Sequence, residues 1–184
     1  MKKLLVVPVA FLAIATLASA QMDMGQDKSK RPSPPASAQC KFSDGKTVKI
    51  DYSSPRAKGR KIFGEGDKAL VPFGEVWRTG ANEATTFVAD TNVTVGGKAV
   101  PAGSYTIFTI PKADAWTLII SKKTGQWGTD YPGEKEDLAR IPMTGSKTSA
   151  PVENFTIAFD EAGGKCTLHM DWENTRASVA VSEK

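Results

Sequence analysis

The stretch that decides the fold is PAGSYTIFTIPKADAWTLIIS, residues 101–121. Gly103 and Ser104 lead into Tyr105, Ile107 and Thr109, which alternate with Thr106, Phe108 and Ile110. That is the period of a β-strand, in which successive side chains point to opposite faces. Apolar residues occur at both phases, so both faces of this strand are expected to be covered. Pro111 ends the strand because it has no N–H to give to a ladder. Ala113 and Asp114 make a turn, and Trp116 to Ser121 is the return strand.

Working outward, the same two-residue period recurs. Val48, Ile50 and Tyr52 alternate with Thr47, Lys49 and Asp51, and Ser53-Ser54-Pro55 closes that strand. Thr85 to Ala89 is a further strand and Asn92 to Val95 another or its continuation, followed by Gly96-Gly97, a strong hairpin signal. Phe155, Ile157 and Phe159 form another strand, turned by Gly163-Gly164 into Cys166, Leu168, Met170 and Trp172. This alternation puts His169 on the polar, solvated face. Val179 and Val181 lie in the last strand. Asp137 to Met143 reads as a strand or a short helix, and Thr144 to Ala150 as a polar turn. Arg56 to Ala69 is a basic loop anchored by Ile62 and Phe63. About eight short strands with turn signals between them predict an all-β, single antiparallel β-sandwich, jelly-roll-like, over residues 40–184.

The ends of the chain set the context. Lys2 and Lys3, the apolar run Leu4 to Leu17 interrupted by Pro8, and Ala18-Ser19-Ala20 have the form of a cleaved secretory signal peptide at 1–20. The mature chain would begin at Gln21 and be exported, to a periplasmic or extracellular location. No second long apolar run follows, so no integral membrane segment is expected in the mature chain. Residues 21–39, rich in Pro, Ser, Lys and Gln, read as a disordered tail or linker. The full chain carries 24 basic and 20 acidic residues. Without Lys2 and Lys3 the balance is nearly even, and there is no Lys/Arg block to suggest nucleic-acid binding. Two cysteines in an exported chain, Cys40 and Cys166, are expected to form a disulfide. His169 is the only histidine and no Cys or His pair has ligand spacing, so neither a metal nor a cofactor is expected.

Unusual chemistry is densest in LVPFGEVWRTGANEATTF, residues 70–87. Trp77, Arg78, Asn82 and Glu83 fall within seven positions, with Gly74 and Gly80 to shape the backbone. A guanidinium offers a planar fork that fits a carboxylate. Arg78 and Glu83 could therefore be an internal ion pair pinning a loop, or could converge with the others on a ligand. A second loop, Gln126 to Glu136, carries Trp127 and Tyr131, either as a binding surface or as a lid on one end of the core.

The segments YSSP (52–55), GRKIFG (59–64), LVPFGEVWRTGANEATT (70–86), PAGSYTIFTIP (101–111) and WGTDY (127–131) together resemble the exported bacterial proteins grouped as domain of unknown function 2911. The resemblance covers nearly the whole domain from Cys40 onward and is most specific at WRTGANE. It implies a secreted or periplasmic β-rich domain and brings no activity with it. From the residues themselves the favoured function is a non-catalytic small-molecule or carbohydrate binding module of the cell envelope. Its candidate site is Trp77, Arg78, Asn82, Glu83, Trp127 and Tyr131. The alternative is a hydrolase using Glu83 as acid or base with Arg78 stabilising charge. That would need a second carboxylate from Asp130, Glu134 or Asp137.

Overall fold

The structure is a computed structural model, and it describes residues 27–184. The expected signal peptide at 1–20 and the first residues of the expected tail lie outside the described residues. The strands are β1 (Pro35–Lys41), β2 (Thr47–Ser53), β3 (Phe63–Gly64), β4 (Val71–Pro72), β5 (Thr86–Ala89), β6 (Val93–Val95), β7 (Lys98–Val100), β8 (Gly103–Ile110), β9 (Ala115–Ser121), β10 (Asp137–Ala162) and β11 (Lys165–Glu183). The protein is all-β. Nine strands form one antiparallel sheet in the order β1-β2-β5-β8-β9-β10-β11-β6-β7, and β3 pairs with β4 in parallel beside it. No helix among the described residues is long and apolar enough to cross a membrane.

The β8–β9 pair lies in the middle of the sheet, and both strands fall where the sequence places them. Ile107 faces Ile120 and Thr109 faces Leu118 across the ladder. Tyr105, Ile107, Trp116, Leu118 and Ile120 enter the main core with Phe87 and Ile50 of the neighbouring strands. Phe108 is buried on the opposite face, where the Tyr131 ring covers it at 5.1 Å between centroids. Both faces of β8 are therefore dry, which explains its unbroken apolar run.

The sheet encloses its core by folding over on itself. The near end of β10 pairs with β9, while its far end runs on with β11 as a long hairpin turned at Gly163 and Gly164. Register shifts between Lys147 and Thr156 bend this hairpin, as bulges do. Its far end meets the β1–β2 edge. Ser54 Oγ donates to the Phe155 carbonyl at 2.7 Å, and Tyr52 Oη accepts from the Ile157 N–H at 3.0 Å. Cys40 of β1 is bonded to Cys166 of β11, with Cα atoms 6.2 Å apart, as expected. The all-β class expected from the sequence holds, and nine of the strands belong to a single hydrogen-bonded ladder.

Several local expectations change. Asp137–Met143 is strand, and Thr144–Ala150 is strand as well, part of β10 rather than a polar turn. Its polar composition reflects an exposed hairpin arm. The last strand is the continuation of β11. β1 starts at Pro35, inside the stretch read as tail, because its backbone pairs with Ser53 and the rest of β2. His169 is buried, with 7% of its surface exposed, not solvated. Arg176 forks onto Asp171 at 2.6 and 2.7 Å, and His169 Nδ1 sits 3.2 Å from the same carboxylate. The polar face of β11 here is covered by its own charged pair, which buries the imidazole beside it.

Candidate functional site

The segment Phe73 to Thr85 is a loop held on four sides. On the β8 side, Trp77 and Thr109 exchange both backbone hydrogen bonds, at 2.7 and 2.9 Å. At the end of β2, the Ala81 N–H donates to the Ser53 carbonyl at 3.2 Å. Toward the 126–131 loop, Ala84 N–H donates to Gln126 and Gly128 N–H donates to Asn82, at 3.3 and 3.1 Å. Toward the N-terminal segment, Asn82 Nδ2 donates to the Ser33 carbonyl at 3.0 Å. The two loops singled out in the sequence therefore lie side by side.

The backbone turns sharply between Thr79 and Asn82. Thr79 has φ +55° and Asn82 has φ +57°, both left-handed. Asparagine tolerates this region, but a β-branched residue rarely does. The Thr79 conformation is fixed by hydrogen bonds. Its hydroxyl reaches Thr109 Oγ1 at 3.1 Å, and its carbonyl accepts from Thr85 Oγ1 at 2.8 Å. Gly80 has no alternative: a Cβ there would lie 3.0 Å from the Ser53 carbonyl oxygen and from Thr85 Oγ1. Such strain costs on the order of 1–3 kcal/mol per residue and persists only where the surroundings enforce it, commonly at functional sites.

Trp77 is mainly a core anchor. Its ring stacks on Trp172 at 5.7 Å and 18°, and meets Phe155 edge-on at 4.9 Å. Phe63 and Trp116 close the cluster. One part of Trp77 still lines a surface cleft of about 480 Å³, together with Trp172, Trp127, Arg78, Asn82 and Arg60 among others. A smaller hollow of about 210 Å³, lined by Val76, Phe108, Gly128 and Tyr131, adjoins it at Trp77 and Arg78.

Arg78 and Glu83 do not pair, which corrects the internal pin considered from the sequence. Glu83 is taken by Arg31, whose Nη1 lies 2.9 and 3.1 Å from the two carboxylate oxygens, and by Lys28 at 3.1 Å. The left-handed turn at Thr79 to Asn82 separates two side chains that are only five positions apart. The hydrogen bonds from Arg31, then one from its own backbone, hold the Glu83 carboxyl down at about 2, with Lys28 adding to the effect and burial opposing it. A carboxylate in that state carries no proton to donate at neutral pH. Arg78 is half-buried, its stem packed where a Cβ on Gly128 would sit. Among the described residues it has no hydrogen bond or ion pair to the protein, and it lines both hollows.

Trp127 and Tyr131 divide between the two roles left open for their loop. Tyr131 is structural: its hydroxyl is 2.8 Å from Asp137 Oδ2 and accepts from Arg140 Nη2 at 2.8 Å, while its ring lies on Phe108. Burial raises its pKa, and Asp137 raises it further. Trp127 stays open to solvent, 50% exposed. The other exposed large apolar side chains among the described residues are Leu70 (46%) and Val76 (38%), and all three line the hollows around Arg78. Asp137 thus serves Tyr131, and among the described residues no carboxylate lines the larger cleft.

Sequence reasoning missed Arg60, Ser33 and Trp172 as cleft residues, and Arg31 and Lys28 as the partners of Glu83. Arg60 had a visible signal, its place in a basic glycine-containing loop. Arg31 had none, because it acts across 52 positions from a segment without periodicity.

Residues 33–181 match the family described as Protein of unknown function (DUF2911). No curated protein and no solved structure matches the chain. The match runs from the N-terminal segment that supplies Ser33 to Val181 near the end of β11, and it takes in every residue lining the cleft. The chain belongs to the DUF2911 family.

Proposed function

We propose that this protein is an exported, non-catalytic binding module whose ligand, a small molecule or sugar with an acid group, occupies the cleft around Arg78. The observation that carries this is the state of Arg78. It is half-buried, without a protein partner among the described residues, at the junction of two hollows ringed by exposed apolar side chains. Leaving a guanidinium partly desolvated and unpaired costs stability, and a ligand carboxylate would offset that cost with a bidentate pair. Exposed apolar groups gathered around a few fixed polar ones are the usual composition of a ligand site. Trp127 offers a face on which a ring can stack. The strained, over-bonded turn at Thr79 to Asn82 fits a preorganised site. The non-catalytic part rests on Glu83, tied to Arg31 and Lys28, and on a cleft that no carboxylate among the described residues lines. Export rests on the N-terminal sequence and on a disulfide of the kind that oxidising compartments sustain.

Titration with galacturonate, followed by tryptophan fluorescence, tests this. The acid should perturb the emission of the wild type, and galactose should do so more weakly. Arg78→Gln should abolish the preference for the acid, and Trp127→Ala should remove most of the signal. Equal responses to acid and neutral sugar, unchanged in Arg78→Gln, would overturn the role given to Arg78.

A further inference from the structure

The cleft does not end at Arg78. Ser33, Pro55 and Arg60 line it, and the same three residues line a neighbouring hollow of about 300 Å³ whose other walls are Pro32, Arg56 and Lys58. The two hollows therefore adjoin at Pro55 and share walls as one groove. Among the described residues its charged lining side chains are Arg78, Arg60, Arg56 and Lys58, all cationic. The nearby described carboxylates do not line it. Glu83 is neutralised by Arg31 and Lys28. Glu153 accepts the Lys58 backbone N–H at 3.0 Å and, with Glu173, lines a further hollow that Arg60 also borders.

The basic end of the groove is shaped, not a set of loose side chains. Lys58 and Gly59 turn the backbone through φ +51° and +69°. Arg60 locks that turn by donating Nε to the Ala57 carbonyl at 3.0 Å and Nη2 to the Arg56 carbonyl at 2.6 Å. The next strand-like bridge, Arg56 to Asn154, ties the loop to β10. Arg56 and Lys58 thus leave a fixed turn as exposed cations, while Arg60 keeps its charge where the two hollows meet.

We infer that this groove is a second anion subsite, and that the ligand is a short acidic saccharide lying from Trp127 and Arg78 toward Arg60, Lys58 and Arg56. This rests on the cleft being the ligand site. Cations spread along a groove suit charges repeated along a chain better than one compact anion, which needs convergent donors. Indole faces at one end suit the apolar face of a sugar ring. The combined space suits two or three rings, not a long polymer.

Calorimetric titrations with galacturonic acid, its dimer and trimer, the matching neutral galactose oligomers and a short oligothymidylate test the inference. The acidic dimer or trimer should bind about tenfold or more tighter than the monomer, about 1.4 kcal/mol, with a steeper loss on adding salt. Arg56→Gln with Lys58→Gln, both at exposed positions, should erase that gain and leave monomer binding and the melting temperature unchanged. Equal affinity for monomer and trimer would overturn the second subsite while leaving the cleft standing. Preference for the neutral oligomers would overturn the acidic ligand. Tighter binding of the oligothymidylate would overturn the saccharide in favour of single-stranded nucleic acid. If no probe binds, the cleft proposal and the second subsite both fall.

Discussion

At the scale of single residues, Arg78 and Glu83 are neighbours in sequence with opposite fates. Glu83 is half-covered and doubly paired: Lys28 reaches it from solvent, Arg31 from a mostly buried position, and the carboxylate's own exposure of 42% keeps the contribution modest. Arg78 sits in the cleft with its stem on Gly128 and its head unclaimed among the described residues. Removing a buried ion-pair partner typically costs about 3–5 kcal/mol, because the other charge is stranded. Among the described residues no carboxylate pairs with Arg78. Arg78→Gln is therefore expected to melt within about 0.5 kcal/mol of the wild type, or slightly above it if the proposed ligand role holds. A sharp drop in thermal denaturation would mean that a carboxylate depends on Arg78 after all. Trp77, one position away, is the opposite case. Its stacking on Trp172 and contact with Phe155 make it part of the core, whatever edge it shows to a ligand.

At the scale of elements, the segment before β1 acts as a strap. Lys28 and Arg31 hold Glu83, and the Ser33 carbonyl holds Asn82 while lining the cleft. The folded-state pKa of Glu83 is about 2, below its ordinary 4.5. Its contribution to stability is therefore fully present above about 4.5 and is lost as pH falls through about 2. Screening of this exposed site keeps that contribution to about 1 kcal/mol or less. Glu83→Gln should accordingly lower the melting temperature slightly near neutral pH and match the wild type near pH 2. It should also expose the Lys28–Arg31 segment to trypsin. A constant difference at all pH values would show that the strap is held by something else. The strap was invisible in the sequence because its contacts join a proline- and serine-rich segment to a loop far along the chain. The strands were legible because burial of alternate side chains writes itself into the sequence, most clearly in β2, β8 and β9. That signal fades where a strand leaves the core, so Thr144–Ala150 of β10 looked like a turn. It also misleads where charged neighbours cover the polar face, as Arg176 and Asp171 do beside His169. The candidate cleft was partly legible in composition, since Trp77, Arg78, Asn82 and Trp127 all line it. Its pairing was not, because the left-handed turn at Thr79 to Asn82 depends on Thr109 of β8 and on Thr85, just before β5.

At the scale of the whole molecule, one ladder carries the fold and one covalent bond ties its first strand to its last. The Cys40–Cys166 bond closes a loop of 126 positions. Constraining so long a loop in the unfolded chain is worth ~5 kcal/mol in the chain-entropy picture, and measured losses run lower. Cys166→Ala should therefore lose roughly 2–5 kcal/mol in denaturant unfolding while keeping its circular dichroism spectrum. An unchanged midpoint would mean that the folded hairpin holds β1 without help. The position of the bond also dictates when it can form. With two cysteines the chain has a single internal pairing, so oxidation has no wrong isomer to undo and needs no shuffling catalyst. What it requires is patience: Cys40 is synthesised early and must wait as a bare thiol until nearly the entire polypeptide has followed it. A nascent chain that stalls before β11 carries a thiol with no mate, free to cross-link one unfinished molecule to another.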